Sequence, residues 1–154
     1  MPDEKDDQEA LARANADKAA GKSPSTQAGE FVREEIDHVR EGKHGARSAK
    51  QAIAIGLSKA RRAGIDLPAP RSASPKVQKQ AERDTERGHR GQKRVSPRRS
   101  EATEAALERE PTNTVSAAAL AKQARDSARK RGPAARSAAA KKASRTRARE
   151  KSRR

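Results

Sequence analysis

Apolar residues recur at helical spacing in one stretch of the chain. Ala28, Val32, Ile36 and Val39 follow one another at intervals of four, four and three, with Phe31 beside them. Arg33, Glu34, Asp37, Arg40 and Glu41 take the other positions, which predicts an amphipathic helix with those charges facing water. Ser23 stands where an N-cap is wanted, Pro24 at the first helical position where its missing N–H costs nothing, and Gly42 at the end. A second helix is marked by Ser48 and Gln51, an S-x-x-Q capping box, by Gly64 as a left-handed C-terminal residue, and by Pro68 beyond it. On a helical wheel Ala49, Ala52, Ile53, Gly56, Leu57, Ala60 and Ala63 share an arc of about 140°. Small side chains let a neighbouring helix come close, so Gly56, which costs about 1 kcal/mol in a helix interior, is expected where the first helix crosses. Ile55 falls outside the arc, to be covered by the returning Ile65–Leu67 segment, by a second protomer or by nothing. The short link from Gly42 to Arg47 suits antiparallel neighbours, so residues 23–68 are expected to form a helical hairpin.

The rest of the chain is poorer in core-forming residues. Of 15 Val, Leu, Ile and Phe residues, nine lie between Phe31 and Leu67. Two helices bury little, so the hairpin is expected to be marginal alone and to gain stability from a homodimer, the tail or a ligand. Residues 1–22 have only Leu11 to bury and are expected to be partly helical or disordered. Residues 69–113, rich in Pro, Ser and mixed charge, read as a disordered linker with a short helix near Glu101–Arg109. Residues 114–154 form an Ala/Lys/Arg tail: one helix running from Thr114 to the Gly132-Pro133 stop, then a stretch with no large apolar residue, expected to be uncoiled until a polyanion neutralises it. The fold class predicted is mainly α: a small helical hairpin with long disordered or conditionally helical basic regions.

Charge sharpens this picture. The 154 residues carry +16, and residues 111–154, with 14 basic and 2 acidic side chains, account for +12. Residues 1–22 are mildly acidic at −2. A run so one-sided points to a polyanionic partner bound through phosphates. With no Cys, Trp or Tyr and a single Phe, zinc fingers, disulfide scaffolds, cysteine nucleophiles and aromatic base-stacking platforms are excluded. No P-loop or G-x-S-x-G motif occurs and the acids are scattered, so no enzyme and no cofactor is expected. His38, Glu41 and His44 suggest a metal site, but Gly42 ends the helix between them, so one helical face cannot present all three and no metal is expected. No apolar run reaches the length of a membrane span, and a cytoplasmic, nucleoid-associated protein is expected.

The candidate nucleic-acid-binding residues are Lys43, Arg47, Lys50, Arg61 and Arg62 on the hairpin, and Lys122, Arg125, Arg129, Lys130, Arg131, Arg136, Lys141, Lys142, Arg145, Arg147 and Arg149 in the tail. Lys151, Arg153 and Arg154 extend the tail's run. The hairpin set spreads over more than about 100° of the wheel, which suits phosphate contacts better than base reading. DNA is expected ahead of RNA, although Lys and Arg contact phosphate in both. A protein-interaction adaptor working through the hairpin and an RNA-binding accessory protein are the alternatives.

Residues 25–68, and above all Gly42-Lys-His-Gly-Ala-Arg-Ser-Ala-Lys-Gln-Ala-Ile-Ala-Ile-Gly-Leu-Ser-Lys-Ala-Arg-Arg-Ala-Gly64, resemble the module of a family of small, basic, uncharacterised bacterial proteins. That family is labelled a domain of unknown function, sometimes with a DNA-binding description, and the resemblance carries over no catalytic residue. Residues 114–154 are similar in composition to linker-histone tails and to bacterial histone-like Ala/Lys proteins. Ser74-Pro75-Lys76 and Ser96-Pro97-Arg98-Arg99 resemble the Ser-Pro-basic turns of histone tails, a likeness that chance explains better in a linker of this composition.

Overall fold

The computed structural model describes residues 2–91 and 96–152, and its regular elements there are all helical. In chain order they are α1 (Pro2–Ala19), α2 (Pro24–Arg40), α3 (Ala49–Arg62), α4 (Pro75–Arg90), α5 (Pro97–Glu108), a 3-10 turn at Asn113–Val115, α6 (Ala117–Lys130) and α7 (Gly132–Lys151). Two compact units result, Met1–Ser116 and Ala117–Arg154.

The hairpin of the first unit follows its sequence signals closely. Ser23 is the N-cap of α2 with Pro24 in the first turn, Glu41 is its C-cap, and Gly42 follows at φ +74°. Ser48 caps α3 by accepting a hydrogen bond from the Gln51 N–H at 3.2 Å. The reciprocal arm of the capping box is displaced by one residue: Gln51 Oε1 accepts from the Arg47 N–H at 2.8 Å. Gly64 closes α3 at φ +93°. The crossing expected at Gly56 is present. A Cβ built there would lie 2.6 Å from Val32 Cα and 2.9 Å from the Phe31 carbonyl oxygen, so only glycine lets α2 and α3 approach this closely.

Two small clusters make the core. Ala10 and Ala14 of α1, Ala28 and Phe31 of α2, Ala60 of α3 and Ile65 pack together, with Leu11, Leu57, Ala63 and Leu67 against them. Val39, Ala46, Ala52 and Val115 form the other, with Ile36 against it. The returning Ile65–Leu67 segment therefore joins the first cluster beside Phe31 and Ala60, while Ile55 is half-buried on α3.

The expectation of long disordered regions is corrected in three places. Residues 1–22 hold α1, which docks on α2 through Ala10 and Ala14, both buried. Arg13 ties the pair by donating to Glu30 at 2.9 Å and to Glu34, which brings Glu34 in from the water-facing side assigned to it. Residues 69–113 hold α4 and α5. Ser74-Pro75 and Ser96-Pro97 are the N-cap and first position of these helices, as Ser23-Pro24 is of α2. Residues 92–95, part of the expected linker, lie outside the described residues.

The α4 helix docks on α3 with small groups in place of large apolar ones. Ala81 and Asp84 are buried, and Gly88 lies so close to the Arg61 carbonyl that a Cβ would overlap it. Burying Asp84 is tolerable because its carboxylate accepts from Ser58 Oγ and from Gln80 Nε2.

The segment after α5 is likewise fixed. The Gly45 and Ala46 N–H groups donate to the Leu107 and Pro111 carbonyls at 2.9 and 3.0 Å. Thr114 Oγ1 donates to the Ala46 carbonyl at 2.7 Å, and Val115 is 1% exposed. Thr114 and Val115 thus belong to the first unit rather than to the tail helix expected to begin at Thr114.

The third correction falls on the tail. Residues expected to be uncoiled when free form α7, with Pro133 in its first turn and no buried residue. Ala, Arg and Lys rank among the strongest helix formers, and their repulsion is spread along an exposed rod where salt screens beyond about 8 Å.

Candidate nucleic-acid interface

The five hairpin cations divide by what surrounds them. Lys43 donates to Asp6 Oδ2 at 2.7 Å and lies 3.2 Å from Glu41 Oε2. Its hydrogen bond to Asp6, with that to Glu41 second, raises its pKa and lowers that of Asp6. The Lys43 charge is thus largely answered within the fold. Arg47 is exposed with Nε 3.6 Å from Glu110, Lys50 is exposed, and Arg62 is half-buried with Nε directed at the Ser58 carbonyl.

Arg61 is the buried one of the five. It is only 8% exposed, and its Nε donates to the Leu67 carbonyl at 2.7 Å. Burial lowers its pKa, opposed by the nearby Asp84 carboxylate. Arg61 fastens the returning segment to the end of α3, with Asp84 of α4 nearby. The wheel assigned α3 one buried arc, whereas α4 and residues 65–67 give it a second.

The second unit carries its charge differently. In α6, Lys122 reaches Asp126 at 3.0 Å, which lowers the Asp126 pKa, while Arg125, Arg129 and Lys130 are exposed, as is Arg131 between α6 and α7. In α7, Arg136, Lys141, Lys142, Arg145, Arg147, Arg149 and Lys151 are all exposed. At 100° per residue these seven occupy about 240° of the helix circumference. Arg153 and Arg154 lie outside the described residues. The interface offered by α7 is therefore a rod with cations on most sides and Glu150 as its one acid.

The structure also gathers residues that wheel reasoning set apart. His38 of α2 is fully buried, and the loop after Gly42 folds back to set the His44 ring edge-on to it, with centroids 5.8 Å apart and planes at 88°. Glu35, one turn before His38, is 1% exposed and completes the group, whereas Glu41, the carboxylate named with the two histidines from sequence, is exposed. One ligand atom from each of Glu35, His38 and His44 lies within 4.8 Å of the others, and Asp6, Glu34 and His38 form a second such set. The sequence signal was the register Ala28, Phe31, Glu35, His38: two polar residues on the buried stripe.

Among the described residues no helix is long and apolar enough to cross a membrane. No curated protein and no solved structure matches the chain. Residues 16–71, which comprise the end of α1, the whole α2–α3 hairpin and the returning segment, match the model of a family described as a family of unknown function, DUF6496, and so form an uncharacterised domain of that kind.

Proposed function

We propose that the protein binds nucleic acid, DNA ahead of RNA, without sequence preference, through phosphate contacts of α6 and α7, in a nucleoid-associated, histone-like and non-catalytic role. The observation that carries this reading is the charge of residues 111–154: 14 basic against 2 acidic side chains, with the α7 cations exposed round most of the helix. Cations so distributed meet phosphates whichever way the rod lies, and they lack the single edge that base reading in a groove requires. Arg47, Lys50 and Arg62 would add contacts from the hairpin, while Lys43 contributes less because Asp6 and Glu41 already neutralise it.

A gel shift with the full chain and with a truncation ending at Ser116 tests the reading. The full chain is expected to shift duplexes of unrelated sequence equally, and the truncation to lose most of the shift. A truncation at residue 110 would be a poor comparison because it also removes Val115 from the core. Retained binding by residues 1–116, or a sharp consensus from a binding selection, would overturn the proposal.

A further inference from the structure

We propose that Glu35, His38 and His44 bind a divalent transition-metal ion of the Zn²⁺ type. This site lies in the first unit and is independent of the tail.

Hydrogen bonding orients the two imidazoles as ligands. His44 Nδ1 lies 3.1 Å from the Gly45 carbonyl, which can only accept, so Nδ1–H donates and, in the neutral ring that a metal ion would bind, Nε2 carries the lone pair. That lone pair is 3.5 Å from Glu35 Oε1, which sets two acceptors face to face. His38 Nε2 lies 3.0 Å from Asp6 Oδ2; in the neutral ring that donates to this carboxylate, Nδ1 is the nitrogen a metal ion would take. A carboxylate on the far side of a ligating imidazole is the usual outer partner in such sites.

Glu35 supplies the independent observation. It is 1% exposed, and neither carboxylate oxygen accepts a hydrogen bond. Lys59 Nζ lies 3.3 Å from Oε2, and Oε1 is left toward His44. A buried carboxylate is costly unless cations meet it: Lys59 meets Oε2, and a metal ion would meet Oε1 on the side of His44. At metal–ligand distances of about 2.1 Å, two ligands of a tetrahedral ion stand about 3.4 Å apart, close to the 3.5 Å between His44 Nε2 and Glu35 Oε1. Two imidazoles and one carboxylate favour Zn²⁺ and its neighbours over Mg²⁺ or Ca²⁺, which take all-oxygen sets. Three protein ligands leave a coordination position for water on the side of His44, the one of the three that is not fully buried.

The test uses the full chain, stripped with chelator and titrated with Zn²⁺. The chain has three His and no Cys, so imidazole NMR reads every nitrogen ligand of that kind without any substitution. One Zn²⁺ per chain is expected by calorimetry, with the His38 and His44 resonances shifted and His89 unmoved. His44→Ala, at the loop edge of the site, should keep wild-type helicity and lose about 100-fold or more in affinity. Glu35→Gln, which retains shape and removes the charge, should lose affinity similarly. Absence of saturable binding, a shift confined to His89, or affinity unchanged in His44→Ala would overturn the proposal. A proton rather than an ion between Glu35 and His44 would leave the spectra insensitive to Zn²⁺, which would overturn it too.

Discussion

Gly56 and Gly29 both lie inside helices of the hairpin, yet the same substitution should act on them with opposite sign. A Cβ at Gly56 would stand 2.6 Å from Val32 Cα, 2.9 Å from the Phe31 carbonyl oxygen and 3.0 Å from the Val32 nitrogen. All three are backbone atoms, so no rotamer change relieves the clash, and α2 must recede by about 1 Å to restore ordinary carbon contact near 3.5–4.0 Å. Overpacking of this kind costs about 1–3 kcal/mol, against about 1 kcal/mol gained because Ala is the better helix former. Gly56→Ala is therefore expected to lose up to about 2 kcal/mol, and Gly56→Leu more. A Cβ at Gly29 meets nothing within 4 Å, so Gly29→Ala should gain about 0.5–1 kcal/mol. Thermal and urea unfolding followed by circular dichroism at 222 nm would read both. A change of 1 kcal/mol corresponds to roughly 3–6 °C for a unit of this size. If Gly56→Ala stabilised the chain as much as Gly29→Ala does, the close α2–α3 crossing would be refuted.

Other expectations follow from the same geometry. Gly88→Ala should loosen α4, because the new methyl overlaps the Arg61 carbonyl and crowds the Gly64 nitrogen at 3.0 Å; faster amide exchange in residues 75–90 would report it. Ala10→Asp places an unpaired carboxylate in the first cluster and should release α1, seen as rapid proteolysis within residues 2–19 while α2 and α3 remain protected. Arg13→Met removes the ion pairs to Glu30 and Glu34 but keeps the aliphatic stem, with an expected loss of about 0.5–1 kcal/mol that shrinks in high salt.

The hairpin was legible because its signals are local and mutually consistent. Ser23-Pro24, Gly42, the Ser48–Gln51 box and Gly64 mark its ends, and Gly56 among alanines marks its crossing. The same Ser-Pro signature at positions 74–75 and 96–97 reads as turns resembling those of histone tails rather than as helix starts, because no large apolar stripe follows it. The α4 helix docks through Ala81, Asp84 and Gly88, a combination that any hydropathy pattern scores as solvent-exposed. Likewise α1 buries Ala10 and Ala14, residues whose contribution depends on close approach rather than on area. Once α4 and residues 65–67 cover a second face of α3, Arg61 moves inside, which no single-helix wheel could show. The convergence of Glu35, His38 and His44 depends on the path of the loop after Gly42, a tertiary feature with no periodic trace. The tail's charge, in contrast, is a matter of composition and is plain in the sequence.

Electrostatic binding of phosphates by the residues after Ser116 is open to direct measurement. The dissociation constant of the full chain for a mixed-sequence duplex, measured from 50 to 200 mM salt, tests it most directly. If roughly 6–10 phosphates are engaged, log K should fall with log salt at about −0.9 per phosphate, a loss of about 10³–10⁵ over that range. An affinity that stays flat across the series would contradict the account.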